Sequence, residues 1–291
     1  VTGSDNNIYR TRKILNVEEA AALRANIEEA LLRKSPKSLL NQEGRTQFLL
    51  VNSLISYSFY GTAISTIVND DEFSPAVYLL SSGAGFLTPL LITRNREVTL
   101  PQAGMTIYGQ SRGIIHGMLL PVMVSPKEPD FRVTLGFGLA GSIAEGLLGY
   151  RWATKSGYSV GQVSTIGHFS DWGMVLAIGA THALGIYESD ASYTSNLLAA
   201  SILGGAAGGM LLGNRMAKKE YYSQGDAGIS TNLAVTGAYL PIALLSVIEP
   251  DNPRWYTAVG TVGAVAGLYA GDRLARKYEF SNRQAFFTSL S

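Results

Sequence analysis

The stretch LLGNRMAKKEYYSQGDA, residues 211–227, stops an apolar, glycine-rich run at a basic cluster and restarts it behind a serine. Three other places do nearly the same. LLGYRWATKSGYSVGQV (147–163) and YAGDRLARKYEFSNRQA (269–285) align with it without gaps, so that Arg151, Arg215 and Arg273 coincide, and LLITRNREVTLPQA (90–103), with Arg94, fits with three residues deleted. Gln102, Gln162, Asp226 and Gln284 then stand 60, 64 and 58 residues apart, a spacing that marks internal duplication. Each basic stretch reads as a tight turn between two packed helices.

Inside every copy a Ser or Thr is followed three residues later by Gln or Asp: Thr99 with Gln102, Ser159 with Gln162, Ser223 with Asp226, Ser281 with Gln284. This is the capping-box pattern, in which the hydroxyl accepts an orphan amide of the new helix and the third residue reaches back. The residue before each cap is apolar (Val98, Tyr158, Tyr222, Phe280) and so is the fourth helical one (Ala103, Val163, Ala227, Ala285), as a hydrophobic staple requires. The opposite turns, NDDEFSP (69–75), PKEPD (126–130), YESDASYT (187–194) and EPDNPR (249–254), carry acid, and three of them carry proline. There Ser74, Asp130 and Asn252 read as helix caps.

Eight weakly polar segments lie between the turns, approximately 48–68, 75–93, 102–124, 131–149, 162–186, 195–213, 226–248 and 255–271. Ahead of them NVEEAAALRANIEEALLRK (16–34) reads as an amphipathic helix, with Asn16 and Glu19 as its capping box and Leu23, Ile27 and Leu31 as its stripe. The fold expected is all-α: a polytopic helical bundle of about four 60-residue helical-hairpin repeats over 47–291, preceded by this amphipathic helix and a linker over 1–46.

Counting back from the repeat arginines, Gly205, Gly209 and Gly213, then Gly263, Gly267 and Gly271, recur every fourth residue, while the copy before Arg151 keeps Gly141 and Gly149 and has Glu145 between them. Such spacing lines one helix face with hydrogen and lets a neighbouring backbone approach. Unrepaid, each glycine would cost about 0.5–1 kcal/mol against alanine. The spacing is similar to that of the glycine-zipper translocases of mitochondria, but eight segments and capped turns depart from that family's four-span pattern, and no membership follows. Gly136, Gly138 and Gly141 spell a dinucleotide-binding fingerprint, yet no acid follows about 20 residues on, and the repeat assigns the stretch to a helix interior.

The basic turns hold Arg94, Arg96, Arg151, Lys155, Arg215, Lys218, Lys219, Arg273, Arg276 and Lys277; the acidic turns hold Asp70, Asp71, Glu72, Glu128, Asp130, Glu188, Asp190, Glu249 and Asp251 against Lys127 and Arg254 alone. Consecutive hairpin turns fall at opposite ends of a bundle, so one end is basic and the other acidic. Helix dipoles favour acids at N-termini and bases at C-termini. That accounts for helices ending in basic turns and fails for those returning to acidic ones. The positive-inside rule accounts for both. Segments of about 17–25 residues also match a bilayer's hydrocarbon core. Against a membrane stand a mean hydropathy of only +0.14 and charges inside segments at Arg112, Glu145 and Asp171.

Composition sets further bounds. Charged residues are 15% of the chain and glycines number 32, the reverse of an ordinary soluble domain. A net charge of +1 gives no bulk attraction to nucleic acid, and zero cysteines exclude disulfides, thiolate chemistry and cysteine-ligated metals. The first residues, VTGSDNN, contain no initiator Met and no signal-peptide pattern, so the membrane stays unassigned.

Polar residues gather in the segments returning from the basic end. Arg112 and Asp171 fall one repeat position apart and are expected to pair, with His116 four residues after Arg112 and His168 three before Asp171; Glu145 is a further candidate. Such residues either fix helix register or line a proton or ion path. His116, His168 and His182 lack metal-ligand spacing, and no nucleophile elbow or P-loop stands out. The reading is therefore a non-enzymatic, multi-pass membrane protein without metal or cofactor, a structural or assembly subunit that touches the lipid bilayer and other protein subunits, with no nucleic acid and no small-molecule substrate. The alternatives are a transporter or channel with the returning helices lining its path, and a soluble glycine-packed scaffold.

Overall fold

The computed structural model describes residues 19–24, 26, 40–68, 74–125, 129–186, 193–219 and 222–290. The chain divides into two compact units, residues 1–41 and 42–291. In the first, residues 19–24 and 26 are helical; Asn16, Ile27 and Leu31, the expected cap and two of the stripe positions, lie outside the described residues. Most of the acidic-turn residues, including Asp70, Asp71, Glu72, Glu128, Glu188 and Asp190, lie outside them too.

Among the described residues the second unit is helical and contains no strand. Its elements are α1 (Arg45–Val68), α2 (Ser74–Ile92), α3 (Leu100–Val124), α4 (Phe131–Ser156), α5 (Val160–Ala183), α6 (Thr194–Lys219), α7 (Gln224–Leu245), α8 (Arg254–Ala275) and α9 (Asn282–Leu290). Ser56–Tyr60 in the middle of α1 forms a π-helical turn. The stretch holding Gly136, Gly138 and Gly141 is the interior of α4, with no strand before it.

The cap chemistry is local, and the sequence spells it out. Thr99 N–H donates to Gln102 Oε1 (2.9 Å) while Gln102 N–H donates to Thr99 Oγ1 (3.4 Å), and the exchange repeats at Ser159/Gln162 (2.9 and 3.2 Å), Ser223/Asp226 (2.7 and 3.1 Å) and Ser281/Gln284 (2.8 and 3.3 Å). At the other end Asp130 Oδ1 accepts from Arg132 N–H (2.7 Å) and Asn252 Oδ1 from Arg254 N–H (2.9 Å), whereas α2 begins at Ser74 itself.

The partners of the helices correct one expectation. The helices joined by a basic turn, α2 and α3, α4 and α5, α6 and α7, do not pack along their lengths; the closely packed pairs are α3 with α4, α5 with α6 and α7 with α8, joined through the acidic turns. A capped residue has extended backbone, as at Ser159 (φ −76°, ψ 165°), so the chain leaves one hairpin and starts the next sideways. The returning helices α1, α3, α5, α7 and α9 touch in succession, and α4, α6 and α8 each also lie against the returning helix of the hairpin before, α1, α3 and α5.

Each hairpin crosses where two backbones meet. A Cβ placed on Gly173 would stand 2.0 Å from the carbonyl oxygen of Gly205, and one on Gly205 would stand 2.3 Å from that of Gly173. Gly113 with Gly141 and Gly237 with Gly263 repeat this reciprocal contact, and in the first hairpin Ser56 stands where the glycine would be, its Oγ 2.4 Å from a Cβ built on Gly85. Further along the same faces Gly209 abuts the Phe169 carbonyl, Gly213 Ile166, Gly267 the Leu233 carbonyl and Gly271 Ser230. The sequence pattern on α6 and α8 points to these faces, and on α3 Gly109, Gly113 and Gly117 recur at the same spacing against the α4 backbone, whereas Gly173 on α5 and Gly237 on α7 have no glycine four residues away.

The interior is rich in small residues, with Met105, Leu135, Val163 and Ile166 among its few large aliphatic ones, while many leucines and valines lie outside. Ala63, Ala199, Ala206, Ala217, Ala234, Ser142 and Ser170 are buried, yet Leu79, Leu80, Leu91, Leu211, Leu244, Val247 and Val262 are exposed. In α2 no residue is buried. Among the described residues five helices are long and apolar enough, by length and composition, to cross a membrane: Arg45–Val68, Ser74–Asn95, Phe131–Ser156, Thr194–Lys218 and Gln224–Leu245. The other long helices, α3, α5 and α8, are more polar.

Candidate functional site in the returning helices

Arg112 sits midway along α3 and Asp171 midway along α5, and the contact of these two helices brings them together. The guanidinium grips the carboxylate with two bonds, Nε to Oδ1 at 2.9 Å and Nη2 to Oδ2 at 2.6 Å, the fork-to-fork geometry that a lysine could not supply. Tyr108, one turn before Arg112, donates its hydroxyl to Asp171 Oδ1 (3.2 Å), and the guanidinium lies over its ring at 5.3 Å. About a third of each charged side chain is exposed (36% and 32%).

His116 turns to the other side of α3 and meets α4, its Nδ1 at 2.9 and 3.0 Å from the two carboxylate oxygens of Glu145. His168 does not join Arg112 and Asp171: its Nδ1 is 2.8 Å from Thr231 Oγ1 on α7. His182 likewise bonds Thr257 on α8, at 2.8 Å. The charged and imidazole groups thus form separate ties, α3 to α5, α3 to α4, α5 to α7 and α5 to α8. Among the described residues no three His, Asp or Glu side chains gather around one point.

A second buried network has no counterpart in the sequence reading. Asn52 of α1 donates to the Gly85 carbonyl of α2 (2.6 Å) and accepts from Gln110 Nε2 of α3 (2.9 Å). Ser142 of α4 gives its proton to the Gln110 carbonyl (2.8 Å), so Tyr60 donates to Ser142 (2.9 Å). Four helices, α1 to α4, are thereby joined. Ser170 makes the same kind of bond one hairpin on, to the Ala206 carbonyl (2.9 Å), which is the only hint repetition offers.

The basic end is pinned as well. Tyr158 donates to Asn214 Oδ1 (2.5 Å), and Tyr222 donates to Asp272 Oδ1. In both cases the residue before a cap reaches the residue before a repeat arginine on the other helix of its hairpin. The arginines themselves, Arg94, Arg151, Arg215 and Arg273, are all exposed at that end. At the acidic end Asn196 of α6 donates to the last carbonyls of α3, at Val122 (2.8 Å) and Met123 (3.1 Å), and so holds α6 over α3.

The chain matches no known protein family, no curated protein and no solved structure.

Proposed function

We propose that this is a non-enzymatic, multi-pass membrane protein, a bundle of about four helical-hairpin repeats with glycine-zipper packing that serves as a structural or assembly subunit of a larger membrane complex. The observation that carries the reading is the inverted distribution of side chains. In water, burying leucine and valine is the main source of stability, at roughly 25 cal/mol per Å² of apolar surface. Here the interior is rich in alanine, serine and glycine, with larger side chains such as Met105 and Ile166 among them, while among the described residues Leu135 is the one leucine in the buried set and many others point outward, an arrangement that is favourable when the surroundings are lipid and helix association rests on close backbone contact.

The charge arrangement supports the same reading. Arg94, Arg151, Arg215 and Arg273 stand at the end where the capped helices start, Asp130 and Asp251 at the other, as the positive-inside rule expects. The polar helices α3, α5 and α8 count as spans because their polar groups are paired: Arg112 with Asp171 and His116 with Glu145 near mid-depth, and His182 in the last turn of α5 with Thr257 in the first turn of α8. Mutual pairing suits groups that fix helix register better than groups that pass an ion along.

A transport role is the second reading, favoured by the concentration of ionisable groups at mid-depth in α3, α4 and α5. Proton and monovalent-cation flux in liposomes separates the two. The structural reading expects flux no greater than in protein-free liposomes. Flux that disappears on substituting Arg112 and Asp171 overturns it.

A further inference from the structure

Two carboxylates at the basic end are turned inward. Asp226 accepts from Ser223 N–H and Phe280 N–H, and Asp272 accepts from the Tyr222 hydroxyl and from Arg276 Nε (2.9 Å), which leaves them 1% and 9% exposed. The cations of that end are left uncompensated. Among the described residues Arg94, Arg151, Lys155, Arg215 and Lys218 are exposed and have neither a carboxylate nor a hydrogen-bond partner. The exposed carboxylates described there are those of Glu43, Glu97 and Glu279. At the other end the sign reverses, with Asp130, Glu249 and Asp251 exposed.

What stands beside these cations selects the anion. Leu91, Leu147 and Leu211, three or four residues before Arg94, Arg151 and Arg215, are exposed, so each arginine lies about 6 Å along the chain axis from a bare leucine. A soluble anion would leave that leucine in water. A phospholipid covers both, its acyl chains on the leucine and its phosphate on the guanidinium, whose planar fork matches two phosphate oxygens. Arg273 departs from the pattern: its Nε and Nη2 both donate to the Tyr269 hydroxyl (3.0 and 2.7 Å) and its guanidinium lies 5.2 Å over that ring, so its fork is taken.

We infer that the basic end binds the headgroups of anionic phospholipids, with the open forks of Arg94, Arg151 and Arg215 on the phosphate oxygens and Lys155 and Lys218 adding charge beside them. A zwitterionic headgroup carries the same phosphate but cancels it with its own ammonium. Each Lys or Arg close to an anionic bilayer surface favours association with it by about fivefold. The inference rests on the membrane reading, which puts these arginines at the bilayer surface. The two fail separately, since one concerns contact with lipid and the other the choice among lipids.

Two of the three tryptophans mark the two ends: Trp152 follows Arg151 in α4, and Trp255 lies in the first turn of α8. The full chain with Trp172→Phe and either Trp255→Phe or Trp152→Phe is placed in liposomes of phosphatidylcholine and phosphatidylglycerol, one of the two lipids carrying bromine on its acyl chains to quench a tryptophan it touches. At Trp152 the expected association constant for phosphatidylglycerol relative to phosphatidylcholine is about fivefold at low salt, falling toward one in about 0.5 M salt and on joint Arg151→Gln and Arg215→Gln substitution. At Trp255 the ratio should be one or below. Inorganic phosphate at matched ionic strength should leave the Trp152 ratio unchanged. Equal quenching of Trp152 by both lipids, or the same preference at Trp255, overturns the inference and leaves the membrane reading standing. A preference that survives both high salt and the double substitution, or that inorganic phosphate abolishes, overturns it as well. Quenching of Trp152 by neither lipid overturns both.

Discussion

The hairpin crossings allow a sharp contrast between adjacent residues of one helix. In Gly205→Ala the new methyl would stand 2.3 Å from the Gly173 carbonyl oxygen and 2.8 Å from the Ala177 Cβ, against a comfortable separation of about 3.5–4 Å. Backbone atoms cannot rotate away, so α5 and α6 must part by about 1 Å, and contacts beside the crossing are lost with it. Overpacking of this kind costs about 1–3 kcal/mol. At Gly204, one residue earlier, an added Cβ meets nothing within 4 Å, so Gly204→Ala is expected to be neutral or to stabilise the helix by up to about 1 kcal/mol. For a bundle of this size about 2 kcal/mol corresponds to about 4–8 °C. Thermal unfolding followed by circular dichroism in one detergent should place Gly205→Ala below the wild type by that amount and Gly204→Ala at or above it. Equal melting temperatures for the two variants would refute the close crossing.

The other expectations follow from single bonds. Replacing Arg112 by Leu leaves Asp171 charged at mid-depth and should destabilise the bundle by about 1–3 kcal/mol, the partial exposure reducing the larger cost of a fully buried charge; the double replacement Arg112→Leu with Asp171→Leu should recover most of that loss in the same melting assay. Ser223→Ala removes a cap and should cost about 1 kcal/mol. Asp226→Leu should cost more than Ser223→Ala, since this carboxylate, 1% exposed, accepts from both Ser223 N–H and Phe280 N–H; denaturation of the two variants side by side checks the order. His168→Phe should lower the melting temperature less than Arg112→Leu, because it breaks one neutral bond to Thr231.

Local chemistry was the part legible in the sequence. A cap and its partner are three residues apart, and Ser159 with Gln162 forms the same box whatever surrounds it. The ends of Arg112 and Asp171 could be matched because the repeat puts them one position apart at equal depth, and opposite charge does the rest. What escaped depends on which helices lie side by side. His168 is three residues before Asp171 and suggested a shared cluster, but its ring turns toward α7, a direction fixed by the succession of returning helices rather than by spacing. The Asn52, Gln110, Ser142 and Tyr60 chain was hidden for a related reason: the π-helical turn at Ser56–Tyr60 shifts the register of α1, so its polar residues fall out of step with those of the later returning helices. Nor do short basic turns imply packed neighbours, since a turn joins helix ends and leaves the crossing to the glycine faces.

The absence of cysteine from the chain allows a direct test of which side each end faces. Lys155 at the basic end and Asp251 at the acidic end are both exposed, and each can be replaced singly by cysteine in sealed membrane vesicles of one orientation. Treatment with a membrane-impermeant maleimide should label one variant in intact vesicles and the other only after permeabilisation. Equal labelling of both variants without permeabilisation would contradict a lipid layer between the two ends.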